Sequence, residues 1–189
     1  MGSLPPANGA GRQYALVGYI PDPLGAFLQR LRAELVPGCR LLSHVTLLPP
    51  RELAITQSEL VETLSATVSQ IPSFELGMGD VAVFPSSNVV YLSIAAGRKR
   101  LQQLHHGLNS GLLEAEEPFA FHPHVTLAQD LPIESIEAVV HRARRAWEGW
   151  TRSRSFFLER LTLVRNVNLN HWEMVSEHPL RPRDLRRTA

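Results

Sequence analysis

Apolar residues recur along the chain with two periods, and the switch between them marks out the elements. Residues 13–20, QYALVGYI, predict a strand. Asp22 and Pro23 supply a helix start, a cap residue followed by a first-turn proline. Leu24, Phe27, Leu28, Leu31 and Leu35 then fall at helical spacing as a buried stripe that Pro37-Gly38 ends. LLSHVTLL at 41–48 predicts a second strand, closed by Pro49-Pro50. Thr56 and Glu59 fit a capping box ahead of Leu60, Leu64 and Val68, and Pro72 stops that helix. FELGMGDVAVF at 74–84 alternates as a strand does, with Gly77 and Gly79 marking a bulge or tight bend.

After a turn at 85–88 the order begins again. VVYLSIA at 89–95 predicts a strand, and Leu101, Leu104, Leu108 and Leu112 a helix over 98–114. FHPHVTLAQ at 121–129 predicts the next strand. Pro132 opens a helix carrying Ile133, Ile136, Val139, Val140, Ala143 and Trp147. SFFLERLTLV (155–164) and HWEMVS (171–176) predict a closing pair of strands. Strand, helix, HVTL strand, helix, strand thus occurs twice. The pattern implies an α+β fold in which helices cover antiparallel sheets, built by a degenerate internal duplication. Residues 13–180 are expected to form a single domain, with 1–12 a flexible leader and 181–189 a basic, frayed tail.

A length of 189 residues buries a core without disulfides or a structural metal. Cys39 stands alone, which excludes an internal disulfide framework and a cysteine-rich zinc site and fits a reducing cytoplasm. No apolar run approaches membrane-spanning length, and residues 1–12 lack the hydrophobic segment of a signal peptide. The expectation is a cytoplasmic protein with no membrane contact and no obligate protein partner. The net charge of +1 gives no global field for long nucleic acids. The charge is uneven, however: residues 1–141 hold 8 basic and 13 acidic side chains, and 142–189 hold 11 and 5. Every basic residue except Lys99 is arginine, which suits phosphate contacts and equally reflects plain composition.

Candidate chemistry comes from the tetrapeptide the repeats share. His-Val-Thr-Leu occurs at 44–47 and again at 124–127, 80 residues later and at the same point of each half. Residues i and i+2 of a strand face one side, so His44 pairs with Thr46 and His124 with Thr126, while Val45, Leu47, Val125 and Leu127 turn toward a core. Two such strands side by side bring two imidazoles and two hydroxyls to one cleft, a lining suited to a tetrahedral phosphate. One imidazole can take a proton from water while the other gives one to the departing oxygen, with no metal or other cofactor.

These residues resemble the signature of the two-histidine (2H) phosphoesterases, the 2′-5′ RNA ligase-like or cyclic phosphodiesterase superfamily: HVTLLPP as first motif, PHVTLA as second, and the closing HWEMVSEHPL. The resemblance runs from Tyr14 to about Leu180. It implies a bilobal fold of two pseudo-symmetric antiparallel sheets, helices on their outer faces and a central cleft. It implies metal-independent action on a 2′,3′-cyclic phosphate or a 2′-5′ phosphodiester, reversible as 2′-5′ ligation. The substrate would be a small nucleotide or an RNA end. His44 and His124 become the acid–base pair, and Thr46 and Thr126 the phosphate-binding hydroxyls. In several relatives the second-motif histidine is the base in hydrolysis and the first the acid. Two departures are visible. Gln129 stands where some nucleotide-acting relatives carry a basic residue, and Pro49-Pro50-Arg51 replaces a glycine-containing loop.

Other readings compete. Both histidines can be satisfied strand residues, the cleft can serve a non-catalytic RNA- or nucleotide-binding module, and His122 with His124 can form a metal pair of a hydrolase. Arg51, His122 and Arg165 are candidate substrate contacts. Tyr19, Phe84, Phe121 and Trp172 are candidate stacking faces, each equally suited to a core.

Overall fold

In a computed structural model, residues 13–168 and 171–183 are described. The first repeat forms β1 (Gln13–Tyr19), α1 (Leu24–Leu35), β2 (His44–Glu52), α2 (Gln57–Val68) and β3 (Phe74–Val83). The second forms β4 (Val90–Ala96), α3 (Arg98–Leu108), β5 (His124–Ala128), α4 (Ile136–Glu148), β6 (Ser155–Leu158) and β7 (Arg160–Asn168), and β8 (His171–Pro179) follows. The strands make two four-stranded antiparallel sheets, ordered β2-β1-β7-β8 and β5-β4-β3-β6. The α+β, bilobal architecture is therefore present. Each repeat keeps its first two strands together and sends its last across: β3 pairs with β4, and β7 pairs with β1.

Helices cross as well. α1 packs on β5 and α4, and α3 on β2, while α2 covers β8 and α4 covers β3. The buried leucines of α1, α2 and α3, the buried residues Val139, Val140, Ala143 and Trp147 of α4 and the inward residues of both sheets consequently join one apolar cluster. Gly18 on β1 sits where the lobes press together. A Cβ there would come within 2.5 Å of Leu158 at the end of β6.

Several local expectations change. β2 runs on through Pro49 and Pro50, because it is an edge strand and an outward N–H is not needed there. The run 155–164 splits at Glu159, so that Phe156 and Leu158 bury in one sheet and Leu161 and Leu163 in the other. α3 stops at Leu108. Gly111 takes a positive φ of 57°, Leu112 is exposed and Leu113 is buried in its place. Pro132 stays extended, so Ile133 enters a single 3-10 turn and faces solvent. At α1 the N-cap is Pro23 rather than Asp22, which lies one residue earlier and accepts from Ala26 N through Oδ1 at 2.8 Å, whereas the Thr56–Glu59 capping box is complete as expected. The leader and residues 184–189 lie outside the described residues. Arg181, at the start of the expected tail, is tied by backbone hydrogen bonds to Ile71 and Ser73.

Arg51 is the first of the expected substrate contacts to be corrected. Only 6% exposed, it donates to Pro49 O, Asn109 Oδ1 and Leu113 O and forms an ion pair with Glu117. His105 is buried beside it and hydrogen-bonds Leu47 O at 2.7 Å through Nδ1. This network ties β2 to α3 and to the segment leading into β5. Arg51→Ala strands the Glu117 carboxylate and should cost about 3–5 kcal/mol in chemical denaturation. A loss under about 1 kcal/mol would show that the network does not hold the lobes.

Candidate active site

β2 and β5 are the edge strands of their sheets, and they lie against each other where the lobes meet. Tyr19 pairs with His44 and Val17 with Thr46 across β1 and β2; Ser93 pairs with His124 and Tyr91 with Thr126 across β4 and β5. The repeats therefore present matching histidine and threonine pairs. A chamber of about 270 Å³ opens at their junction, walled by Tyr19, Arg32, His44, Thr46, Thr126 and Trp172 among others. Its floor is a small apolar patch of Ala15, Val17 and Val164, separate from the main core.

The two histidines are held alike. His44 Nδ1 lies 2.7 Å from Leu42 O, and His124 Nδ1 lies 2.7 Å from His122 O. A carbonyl oxygen only accepts, so each Nδ1 must carry the proton. In the neutral ring, Nε2 is then the bare, basic nitrogen. Burial is the main force holding His44 down to about 4; the Leu42 carbonyl pulls the other way, and the charges of Arg32 and His124 add to the depression. His124 is also lowered, first by burial, against the pull of the His122 carbonyl and with help from the His122 ring. His44 meets Tyr19 edge-on at 6.1 Å between ring centres; His124 meets Phe84 and Tyr91 edge-on at 4.9 and 5.4 Å. His124 flanks the 270 Å³ chamber rather than walling it, with Thr126 carrying its strand face into the opening.

Strand parity decides the remaining candidates. Pro50 and Val164 wall the chamber, so Arg51 and Arg165 point to the opposite faces of their strands. Arg165 reaches Gln57 and Glu173, each at 3.5 Å, and is corrected as a chamber contact. Phe121 is corrected for the same reason, since it stacks on His105 at 3.8 Å. His122 packs edge-on against Phe84 and Tyr91 and walls neither this chamber nor its neighbour. Its ring centre stands 6.5 Å from that of His124, and among the described residues no three His, Cys, Asp or Glu side chains group as metal ligands. Tyr19 and Trp172 do line the chamber.

Arg32 was not anticipated. It occupies a buried position of α1, four residues after Leu28 and three before Leu35. A charge inside an apolar stripe was the available signal. A second opening of about 450 Å³ adjoins the chamber and shares Arg32, Leu41 and Gln129 with it, adding Cys39, Arg40, Asp130 and His171.

A family model of the 2′-5′ RNA ligase superfamily matches residues 20–169, and the chain belongs to that superfamily. Among curated proteins, a "Putative phosphoesterase" of Geobacillus thermodenitrificans is 34% identical over 91 residues, 47% of this chain and 52% of that one. A phosphoesterase so named from Geobacillus kaustophilus is 28% identical over 123 residues, 64% of this chain and 70% of that one. The match thus spans about half the length of the first relative. Among solved structures, Escherichia coli LigT complexed with NADP+ superposes with a TM-score of 0.61 at 21% identity, covering 92% of this chain and 99% of LigT. That likeness bears on the fold. No helix among the described residues is long and apolar enough to cross a membrane.

Because both rings are held below the ordinary value of 6.5, the unfolded chain binds protons between about pH 4 and 6.5 that the folded chain refuses. Their contribution to stability is complete above pH 6.5 and is lost as pH falls toward 4. Urea denaturation across that window should show His44→Gln losing less stability than the wild type. Parallel pH curves would mean that His44 is not held neutral by the fold.

Proposed function

We propose that this protein is a metal-independent phosphoesterase that opens a 2′,3′-cyclic phosphate or cleaves a 2′-5′ phosphodiester, with His44 and His124 as its general acid and base. The observation that carries this reading is the matched tautomer. Both rings spend Nδ1–H on a carbonyl two residues back, which leaves both Nε2 atoms for proton transfer. Thr46 and Thr126 wall the same chamber and can donate their hydroxyls to the non-bridging oxygens.

In the hydrolytic direction a water oxygen bonds to phosphorus as the P–O bond to the leaving oxygen breaks. One neutral Nε2 takes the water proton, and the opposite Nε2–H gives its proton to the leaving oxygen. Burial favours the neutral form of both rings, so the acid gains its proton together with the substrate. An anionic phosphodiester supplies the field for that, because an opposite charge within a few ångströms favours imidazolium. With a 5′-hydroxyl in place of water as the nucleophile, the same two proton transfers form a 2′-5′ link: the 5′ oxygen bonds to phosphorus as the bond from phosphorus to the ribose 3′ oxygen breaks, and in the reverse direction the two histidines exchange roles. A small nucleotide fits the setting, since Tyr19 and Trp172 offer aromatic faces beside the phosphate position. Escherichia coli LigT, of like fold, has been crystallised with 3′-AMP.

His44→Ala and His124→Ala should each lower hydrolysis of a 2′,3′-cyclic nucleotide by about 10²–10⁴-fold while the chain stays folded. Wild-type turnover should survive a chelator. Activity retained in either histidine variant would dispose of the acid–base pair. Thr46→Val and Thr126→Val should each weaken the phosphate contacts by about 1–3 kcal/mol, read from kcat/KM. A fully active double threonine variant would remove the hydroxyls from the site.

A further inference from the structure

Among the described residues two arginines are buried, and they are treated in opposite ways. Arg51 has its guanidinium satisfied by Pro49 O, Asn109, Leu113 O and Glu117. Arg32 is 3% exposed, yet its Nε and Nη1 are buried with no hydrogen-bond partner among the described residues. Its Nη2 reaches only the sulfur of Cys39, at 3.8 Å, and among the described residues it joins no ion pair. Sulfur is a weak acceptor, and a buried cation without a counter-charge is costly. Asp130, the carboxylate that walls the outer opening, accepts instead from Gln129. Arg32 walls both the chamber of His44, Thr46 and Thr126 and the outer opening beside it.

We propose that Arg32 is the anion-binding residue of this cleft, its guanidinium donating to a non-bridging oxygen of the substrate's phosphoryl group where the two openings meet. The inference rests on the phosphoesterase reading and names the group that holds the phosphate. Planar and always charged, with Nε and Nη1 unpaired among the described residues, a guanidinium matches a phosphoryl edge better than a hydroxyl does. Gln129, a neutral side chain, stands in the same walls, so the cation comes from the helix rather than from the strand. The same charge depresses His44, and an anion held between the two would offset it.

Inorganic phosphate is the probe, and thermal unfolding and calorimetric titration are the readouts. Phosphate should raise the midpoint of the wild type. Arg32→Met should unfold at a higher temperature than the wild type in phosphate-free buffer, because an unpaired buried charge is gone, and should bind phosphate at least about tenfold more weakly. Arg32→Lys, keeping the charge without the fork, should fall between the two. His44→Ala and His124→Ala should keep the phosphate response while losing turnover. A wild type indifferent to phosphate, an Arg32→Met chain that binds it normally, or one that is less stable or fails to fold would overturn the proposal. A wild type that turns over neither a 2′,3′-cyclic phosphate nor a 2′-5′ phosphodiester would instead sink the phosphoesterase reading and leave phosphate binding by Arg32 standing.

Discussion

Exchange of the last strand between the two repeats is the constraint from which the rest follows. β3 lies inside the second sheet, between β4 and β6, and β7 inside the first, between β1 and β8, so neither repeat can bury its own apolar face alone. The exchange leaves β2 and β5 as edges. Edge strands ordinarily carry a liability, since their unpaired N–H and C=O groups invite another strand. Here the two edges face each other at the lobe junction, and Leu47 O on β2 is taken by His105. The two proline residues of β2 suit an edge for the same reason.

That junction places chemistry where the backbone is best held. Each motif histidine is braced by a carbonyl of its own chain two residues earlier, and each lies edge-on to aromatic rings of the neighbouring strand or turn. The brace fixes both tautomer and ring orientation with one interaction. Burial does the remaining work by favouring the neutral form of both rings.

The two buried arginines make the same contrast within one molecule. Arg51, with its polar partners around it, serves the frame. Arg32, with almost none, stands in the walls of the cleft. Their burial is nearly equal, so burial alone does not separate a structural guanidinium from one turned to a ligand; the inventory of acceptors does.

Sequence alone determined the element order, the capping of α2, the duplication and the pairing of His44 with Thr46 and of His124 with Thr126. Those are local matters of period, cap chemistry and strand parity, which neighbouring residues settle among themselves. Parity also went unused where it mattered. Arg51 and Arg165 lie one residue from positions that wall the chamber, and one residue in a strand is the difference between its two faces. Phe121 precedes β5 and is set by a contact far along the chain, its stack on His105. Tertiary structure decided which sheet each strand joins, that a helix of the first repeat covers the second, and hence that Arg32 reaches the cleft at all. Those outcomes depend on contacts between residues far apart in the chain, and no local period carries them.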